Sequence, residues 1–235
     1  MPKYLLVFEK GESVRWLSHL DIHRTFERAI RRAALPIAFS QGFNPRERLS
    51  FVSALSTGVT GSEELLVLEL TELREPHTLC THLNAVLPNG IRIRHSEEIA
   101  DSEVKLLPKE IDRAEYRVVC GCATTTTPES VHTAVKQLLE QAEVTSAREK
   151  EGRVRTINVR PFLYALSLLP ERENEQRLTL CMILGQGEGG TVRPAEVITA
   201  LQQAVPELTL RRAHRVRMRT TQGEPRLHLS AEAPL

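Results

Sequence analysis

Apolar residues recur along the chain in two rhythms, and the changes of rhythm mark out its elements. Tyr4 to Phe8 is a short run of strand formers, and Val14 to Leu17 continues it beyond the turn at Gly11. The spacing then changes: Ile22, Phe26, Ala29, Ile30 and Ala33 fall on one face of a helix. Ser18 precedes that face as an N-cap. Asp21, three residues on, is close to a capping-box partner and puts a negative charge where the helix dipole favours it. Pro36 ends the helix, and Ile37 to Ser40 reads as a second strand running into a turn at Gly42. Leu49 to Leu55 follows. After a Gly58 to Gly61 turn, Glu64 to Leu70 is a buried strand. Leu79, Leu83, Val86 and Leu87 give a helix within Glu75 to Leu87, stopped by Pro88, Asn89 and Gly90, and Ile91 to His95 alternates as a last strand.

This order of strand, helix, strand, strand, helix, strand is that of a ferredoxin-like unit. It recurs further on, as strand 115–122, helix 129–141, strands 156–169 and 177–184, helix 194–205 and strand 208–220. The halves share no obvious residue identity, so the repeat is one of element order. The expected fold is α+β, two tandem ferredoxin-like (βαββαβ) modules. They occupy residues 1–99 and 114–221, with a polar linker at 100–113 and a tail at 222–235.

Composition narrows the class. With 235 residues, 41% of them apolar and 26% charged, the chain has enough apolar material for two small cores and is not a disordered or disulfide-framed sequence. It lacks a run of the roughly 18 apolar residues that span a bilayer, and MPKYLLVFEK lacks a signal peptide's apolar region. A cytoplasmic protein with no membrane partner is expected. Cys120 and Cys122 form a C-x-C, which lacks the second pair of a zinc site, so these and the isolated Cys80 and Cys181 read as buried or half-buried thiols.

The net charge of +1 conceals an uneven distribution. Residues 13–48 hold seven arginines against Asp21, Glu27 and Glu47, residues 211–226 hold six against Glu224, and residues 61–110 carry ten carboxylates against five basic residues. Arg24, Arg28 and Arg31 recur along one helical face, where guanidinium groups can bind phosphates or an acidic partner. His19 and His23 lie one helical turn apart, a spacing that suits a metal, acid–base work on a phosphodiester, or two surface or boundary side chains that at most contact a ligand. The glutamate of H-E-x-x-H is absent and no third ligand stands out, so no metal is assigned. In Ser40 to Pro45, Gly42 permits positive φ and Asn44-Pro45 favours a turn. Phe43 is therefore either held out to stack on a base, flanked by Gln41, Asn44 and then Arg46, or plugs the core. Asn158 and Arg160 share a strand face and either line a groove or protect an edge. The loop Gly185 to Gly190, with Arg193 before Pro194, offers main-chain N–H groups to an anion or is a plain connection into a helix.

With LSHLD at Leu17 to Asp21, SQGFNP at Ser40 to Pro45, Arg160-Pro161 and a glycine-rich loop before Arg193-Pro194, the chain resembles the bacterial radical-SAM-linked family, from about Tyr4 to near Arg219. It departs from the family pattern at Arg46-Glu47, where His-Pro is frequent, and at Asn158, where Asp is frequent. The resemblance implies a radical SAM enzyme as partner. The chain lacks C-x3-C-x2-C, so the iron–sulfur cluster and S-adenosylmethionine are expected in that partner and no cofactor here. Three readings stay open. The first is an accessory RNA-recognition protein, without catalysis of its own, for tRNA or rRNA modification, with Arg24, Arg28, Arg31, Gln41, Phe43, Asn44, Arg46, Arg160 and Arg193 touching RNA. The second is a metal-independent ribonuclease using His19 or His23. The third is a protein-docking adaptor that does not touch RNA.

Overall fold

The computed structural model describes residues 1–150, 152–170, 174, 176–187 and 189–220. The chain folds into two units, residues 1–111 and 112–219, each an α+β mixture of helices with antiparallel strands.

In the first unit, β1 (Lys3–Lys10), α1 (His19–Arg32), β2 (Leu49–Phe51), β3 (Val59–Glu69), α2 (Pro76–Asn84) and β4 (Ile91–Glu98) follow in order, and α3 (Asp101–Glu110) comes last. The strands lie β4-β1-β3 with β2 beside β3, every pair antiparallel. Tyr4, Leu6 and Phe8 of β1, Leu66 and Leu68 of β3 and Ile91 and Ile93 of β4 form one cluster with Ile22, Phe26, Ala29 and Ile30 of α1 and Leu79 and Leu83 of α2. Each fully buried leucine or phenylalanine there stabilises by about 1.5–3 kcal/mol. This packing, more than helix propensity, keeps α1 folded.

Local contacts overrule the sequence pattern at three places in this unit. Val14 to Leu17 does not extend β1: Glu12–Val14 is a turn of 3-10 helix, and the buried Lys10 Nζ donates to the Arg15 and Leu17 carbonyls, both at 3.0 Å, curling the chain around it. Ile37 to Ser40 is not a regular strand. It makes only isolated bridges, Ile37 with Leu70 and Phe39 with Glu47. Residues 101–110 of the predicted linker are helical, because Lys3 pairs with Asp101 at 2.8 Å, Glu103 accepts from the Ala100 N–H at 3.0 Å and Leu107 is buried. Pro108 falls in the last turn of that helix, where it removes the one main-chain bond its N–H would have made to the Val104 carbonyl.

The second unit runs β5 (Ile111–Gly121), α4 (Pro128–Glu140), β6 (Thr145–Lys150), β7 (Arg153–Asn158), β8 (Leu163–Leu168), β9 (Arg177–Gly185), α5 (Pro194–Leu201) and β10 (Thr209–Thr220). Its main strands lie β10-β5-β9-β8, so in both units the last strand neighbours the first, the first the third, and the third the second. Among the described residues β6 and β7 pair only with each other, a hairpin that the sequence pattern did not announce. The expected strand 156–169 is broken at Arg160–Phe162 by a 3-10 turn. There the Asn158 side-chain oxygen accepts from the N–H groups of Val144 at 3.1 Å and Arg160 at 3.0 Å. Among the described residues no helix is long and apolar enough to cross a membrane. The predicted tail 222–235, with Glu224 and Arg226, and Glu188 of the glycine-rich loop lie outside the described residues.

Candidate functional site

Two devices fix α1. At its start, Ser18 Oγ accepts from the Asp21 N–H at 3.2 Å and donates to Asp21 Oδ2 at 2.6 Å, while Oδ2 accepts from the Ser18 N–H at 3.1 Å, a reciprocal capping box. Those bonds from Ser18 hold the Asp21 carboxyl below its usual range. At its end, Leu35 N–H donates to the Ile30 carbonyl and Ala34 N–H to that of Arg31, both at 3.1 Å. This Schellman arrangement puts Ala34 at φ 51°, where glycine is the usual residue. Leu35 then packs with Ile30 in the core, and the chain doubles back along the helix.

The returning segment is tied on both sides. Ala38 N–H donates to the Glu69 carbonyl at 2.9 Å and Arg48 N–H to the Ala38 carbonyl at 2.8 Å. Beyond the Phe39–Glu47 bridge, Ser40 N–H donates to the Arg46 carbonyl at 2.8 Å, and Ser40 Oγ accepts from the Arg46 N–H at 2.9 Å. Residues 40–46 are therefore a loop closed at its neck. Gly42 takes φ 125°, which L-residues rarely adopt, and Phe43 is fully exposed beside the exposed Gln41 and Asn44.

Between α1 and this segment lies an open groove of about 1150 Å³. One wall is helical, with His19, His23, Arg24, Glu27 and Arg31; the other carries Phe39, Pro45, Arg46 and Glu47. The helix singled out in the sequence thus meets the Pro45 to Glu47 end of the second stretch, while Gln41, Phe43 and Asn44 do not line the groove. Arg31 Nε donates to Glu47 Oε1 at 2.9 Å across the groove. By contrast, the guanidinium groups of Arg24 and Arg46 make no hydrogen bond or ion pair among the described residues. Arg28 is exposed and similarly unpaired there, but it does not line the groove.

Both histidines lean on Phe51. The His19 ring meets it edge-on at 5.0 Å between centroids and the His23 ring at 5.8 Å, and Phe51 in turn contacts Phe8 and Phe26. His23 Nδ1 lies 3.4 Å from Glu27 Oε1. Among the described residues no group of three histidine, cysteine or carboxylate side chains is placed to hold a metal. The arrangement offers unpaired guanidinium donors, exposed rings and two imidazoles, which is suited to gripping an anionic, ring-bearing ligand.

Sequence reasoning passed over Phe39, which is 48% exposed on the groove wall, and Trp16, which is 68% exposed under the Arg15 guanidinium at 4.6 Å. It also passed over Leu20, exposed on the same wall as His19. Leu20 carried a readable signal, because it falls off the apolar face defined by Ile22 and Phe26. Phe39 and Glu47 carried none, since only the bridge between them puts both in the groove.

The later motifs serve the fold. Arg160 donates from Nε, Nη1 and Nη2 to the carbonyls of Gln141, Leu163 and Leu139, at 3.2, 3.3 and 3.0 Å, which secures the end of α4 and occupies the group that was expected to face a ligand. At α5, Glu196 accepts from the Arg193 N–H at 2.8 Å and forms a two-point pair with Arg148 at 2.5 and 2.8 Å. An internal carboxylate thus fills the place proposed for an anion, although the Arg193 side chain remains exposed. A Cβ on Gly185 or Gly190 would lie 2.8 or 2.2 Å from the Phe162 side chain, so these glycines admit a ring to the main chain. Cys120 is buried, which pushes its thiol up to about 12, and all four cysteines are free.

Taken together, the fold and groove define a two-unit α+β protein with one open basic and aromatic groove in its first unit. The chain belongs to the family described as uncharacterized protein conserved in bacteria (DUF2344), whose profile matches residues 3–194. No curated protein matches the sequence. Similar solved structures include a chain of a Cbf5-Nop10-Gar1 complex, with a TM-score of 0.54 and 11% identity, covering 92% of this chain and 48% of that one. A chain of an H/ACA RNP bound to a substrate RNA containing 2'-deoxyuridine gives 0.52 and 12%, and one of an archaeal box H/ACA sRNP Nop10-Cbf5 complex gives 0.50 and 10%; each is covered to 47%, and each covers 92% of this chain. The chain spans about half the length of these matches. At such identities the likeness is one of fold.

Proposed function

We propose that the protein recognises RNA through the groove between α1 and residues 37–49. The observation that carries this reading is the presence, on opposite walls, of Arg24 and Arg46, whose guanidinium groups are unmatched among the described residues, together with the exposed ring of Phe39 in the groove; Phe43 is exposed on the 40–46 loop outside the groove lining. Guanidinium groups take phosphates and aromatic rings stack on unpaired bases, so the ligand is a single-stranded stretch or loop of RNA. The similar folds found in H/ACA RNP structures support an RNA setting. The strand order shared by the two units supports reading each as a ferredoxin-like module.

The chemistry belongs to a partner. From the Leu17 to Asp21 and Ser40 to Pro45 motifs we take that partner to be a radical SAM enzyme, in the cytoplasm, carrying the iron–sulfur cluster and S-adenosylmethionine while this chain presents tRNA or rRNA. The test is RNA binding by fluorescence anisotropy across a salt series. The wild-type protein should bind single-stranded RNA with an affinity that falls steeply with salt, and the Arg24→Ala, Arg46→Ala double variant should lower the slope of log K against log salt by about 1.4. Absent or salt-insensitive binding would reject the reading, whereas nuclease-resistant co-purification of the enzyme without RNA would favour a docking adaptor.

The contact between His23 and Glu27 on the groove wall favours one second reading, a metal-independent ribonuclease. RNA cleavage that survives chelation and disappears in His19→Ala and His23→Ala would establish it; cleavage unchanged in the double variant would remove it.

A further inference from the structure

The carboxylate of Glu47 is buried on the groove wall and only partly satisfied. Its side chain is only 6% exposed, Oε1 accepts from Arg31 Nε at 2.9 Å, and Oε2 is buried without a hydrogen-bond partner among the described residues. A carboxylate oxygen shut away from both water and donors is costly, so native structures rarely leave one unless something outside the chain completes it. Glu47 also stands directly across from Phe39 in an antiparallel bridge. Residues so paired project to the same side with their Cβ atoms roughly 5 Å apart. Both line the groove, and the Phe39 ring is about half exposed. Arg31 is itself 65% exposed, so its hold on Glu47 can open toward solvent without disturbing the core.

We propose that Phe39 and Glu47 form a base-reading subsite, in which the ring stacks on a nucleobase and Oε2 accepts an N–H from that base's edge. A carboxylate is an acceptor only. It therefore favours bases with an exocyclic amino group, adenine, cytosine or guanine. Uracil flanks its one N–H with carbonyl oxygens that the carboxylate repels. The neighbouring Arg24 and Arg46 hold phosphates and carry no base preference of their own. The inference rests on the RNA-binding reading and adds to it a chemical preference within the same groove.

The two ideas separate in one experiment, in which short homopolymers of cytidine, adenosine and uridine are titrated by fluorescence anisotropy against wild type, Glu47→Gln and Phe39→Leu. Wild type should bind the cytidine and adenosine oligomers about tenfold more tightly than the uridine oligomer, the discrimination of one good hydrogen-bonded contact. Glu47→Gln replaces the acceptor with a group that can also donate, so the preference should fall to within about twofold through tighter uridine binding. That gain is not expected of a merely structural residue. Phe39→Leu should weaken all three oligomers together, by about tenfold for one lost stack. Equal binding of the three by wild type, or an undiminished preference in Glu47→Gln, would overturn the subsite and leave the groove reading standing; no binding by wild type would overturn both. Thermal melting of each variant within about 3 °C of wild type, as for a surface change, shows that the fold is retained.

Discussion

In the first unit the guanidinium groups of Arg24, Arg28 and Arg46 stand with their donors unmatched among the described residues, whereas in the second unit Arg148 and Arg160 turn theirs inward, onto Glu196 and onto the main-chain oxygens that end α4. Arg46 and Arg160 even look alike in the sequence, each beside a proline and close to the end of an extended segment. What separates them is where the five N–H donors of each go. An arginine whose donors are matched internally stabilises the fold, and one whose donors face an open groove is available to a ligand.

The sharpest test of that contrast removes the carboxylate under Arg148. Glu196→Ala leaves a partly buried guanidinium without its partner and frees the start of α5, which should cost about 2–3 kcal/mol and lower the melting temperature by roughly 5–10 °C. An unchanged melting curve would mean that Arg148 is as free as Arg24. Next in size, Arg160→Ala should cost about 1–2 kcal/mol through the lost main-chain bonds, while Arg24→Ala should stay within about 0.5 kcal/mol of wild type in denaturant titration. If both arginines prove equally dispensable to stability, the distinction fails.

A smaller effect of opposite sign is expected at the helix end that turns the chain into the groove. Ala34→Gly relieves a left-handed residue and should stabilise by about 0.5–1 kcal/mol, seen as a higher denaturation midpoint with an unchanged slope. The smallest effect is the acid response of the α1 cap. Asp21 is held below its usual 3.8 by its bonds with Ser18, so its contribution is full above that value and is lost as pH falls through the lower folded-state value. The gap in melting temperature between wild type and Ser18→Ala should therefore be constant near neutrality and close as pH drops below 3.8.

Helix α1 was readable almost residue by residue, because its apolar face and its Ser18–Asp21 cap are local facts of spacing. The groove was readable by halves: the helical wall and the Gly42 turn stood out, but their meeting depends on the bonds of Ala38 to Glu69 and Arg48, which lie far from the helix in sequence. Hairpin β6–β7 escaped because TSAREK has no apolar alternation; only its pairing with residues 153–158 makes it a strand. The glycines at 185 and 190 misled for a related reason. Glycine marks close approach of something to the main chain, and the sequence does not say whether that is a phosphate or, as here, the ring of Phe162.

The closed neck of residues 40–46 has a kinetic meaning. The entropy of bringing the two ends of that loop together is met once, when the protein folds, by the Ser40–Arg46 and Phe39–Glu47 contacts. A molecule arriving at Phe43 meets a loop whose ends are already joined, so docking there need not wait on chain closure.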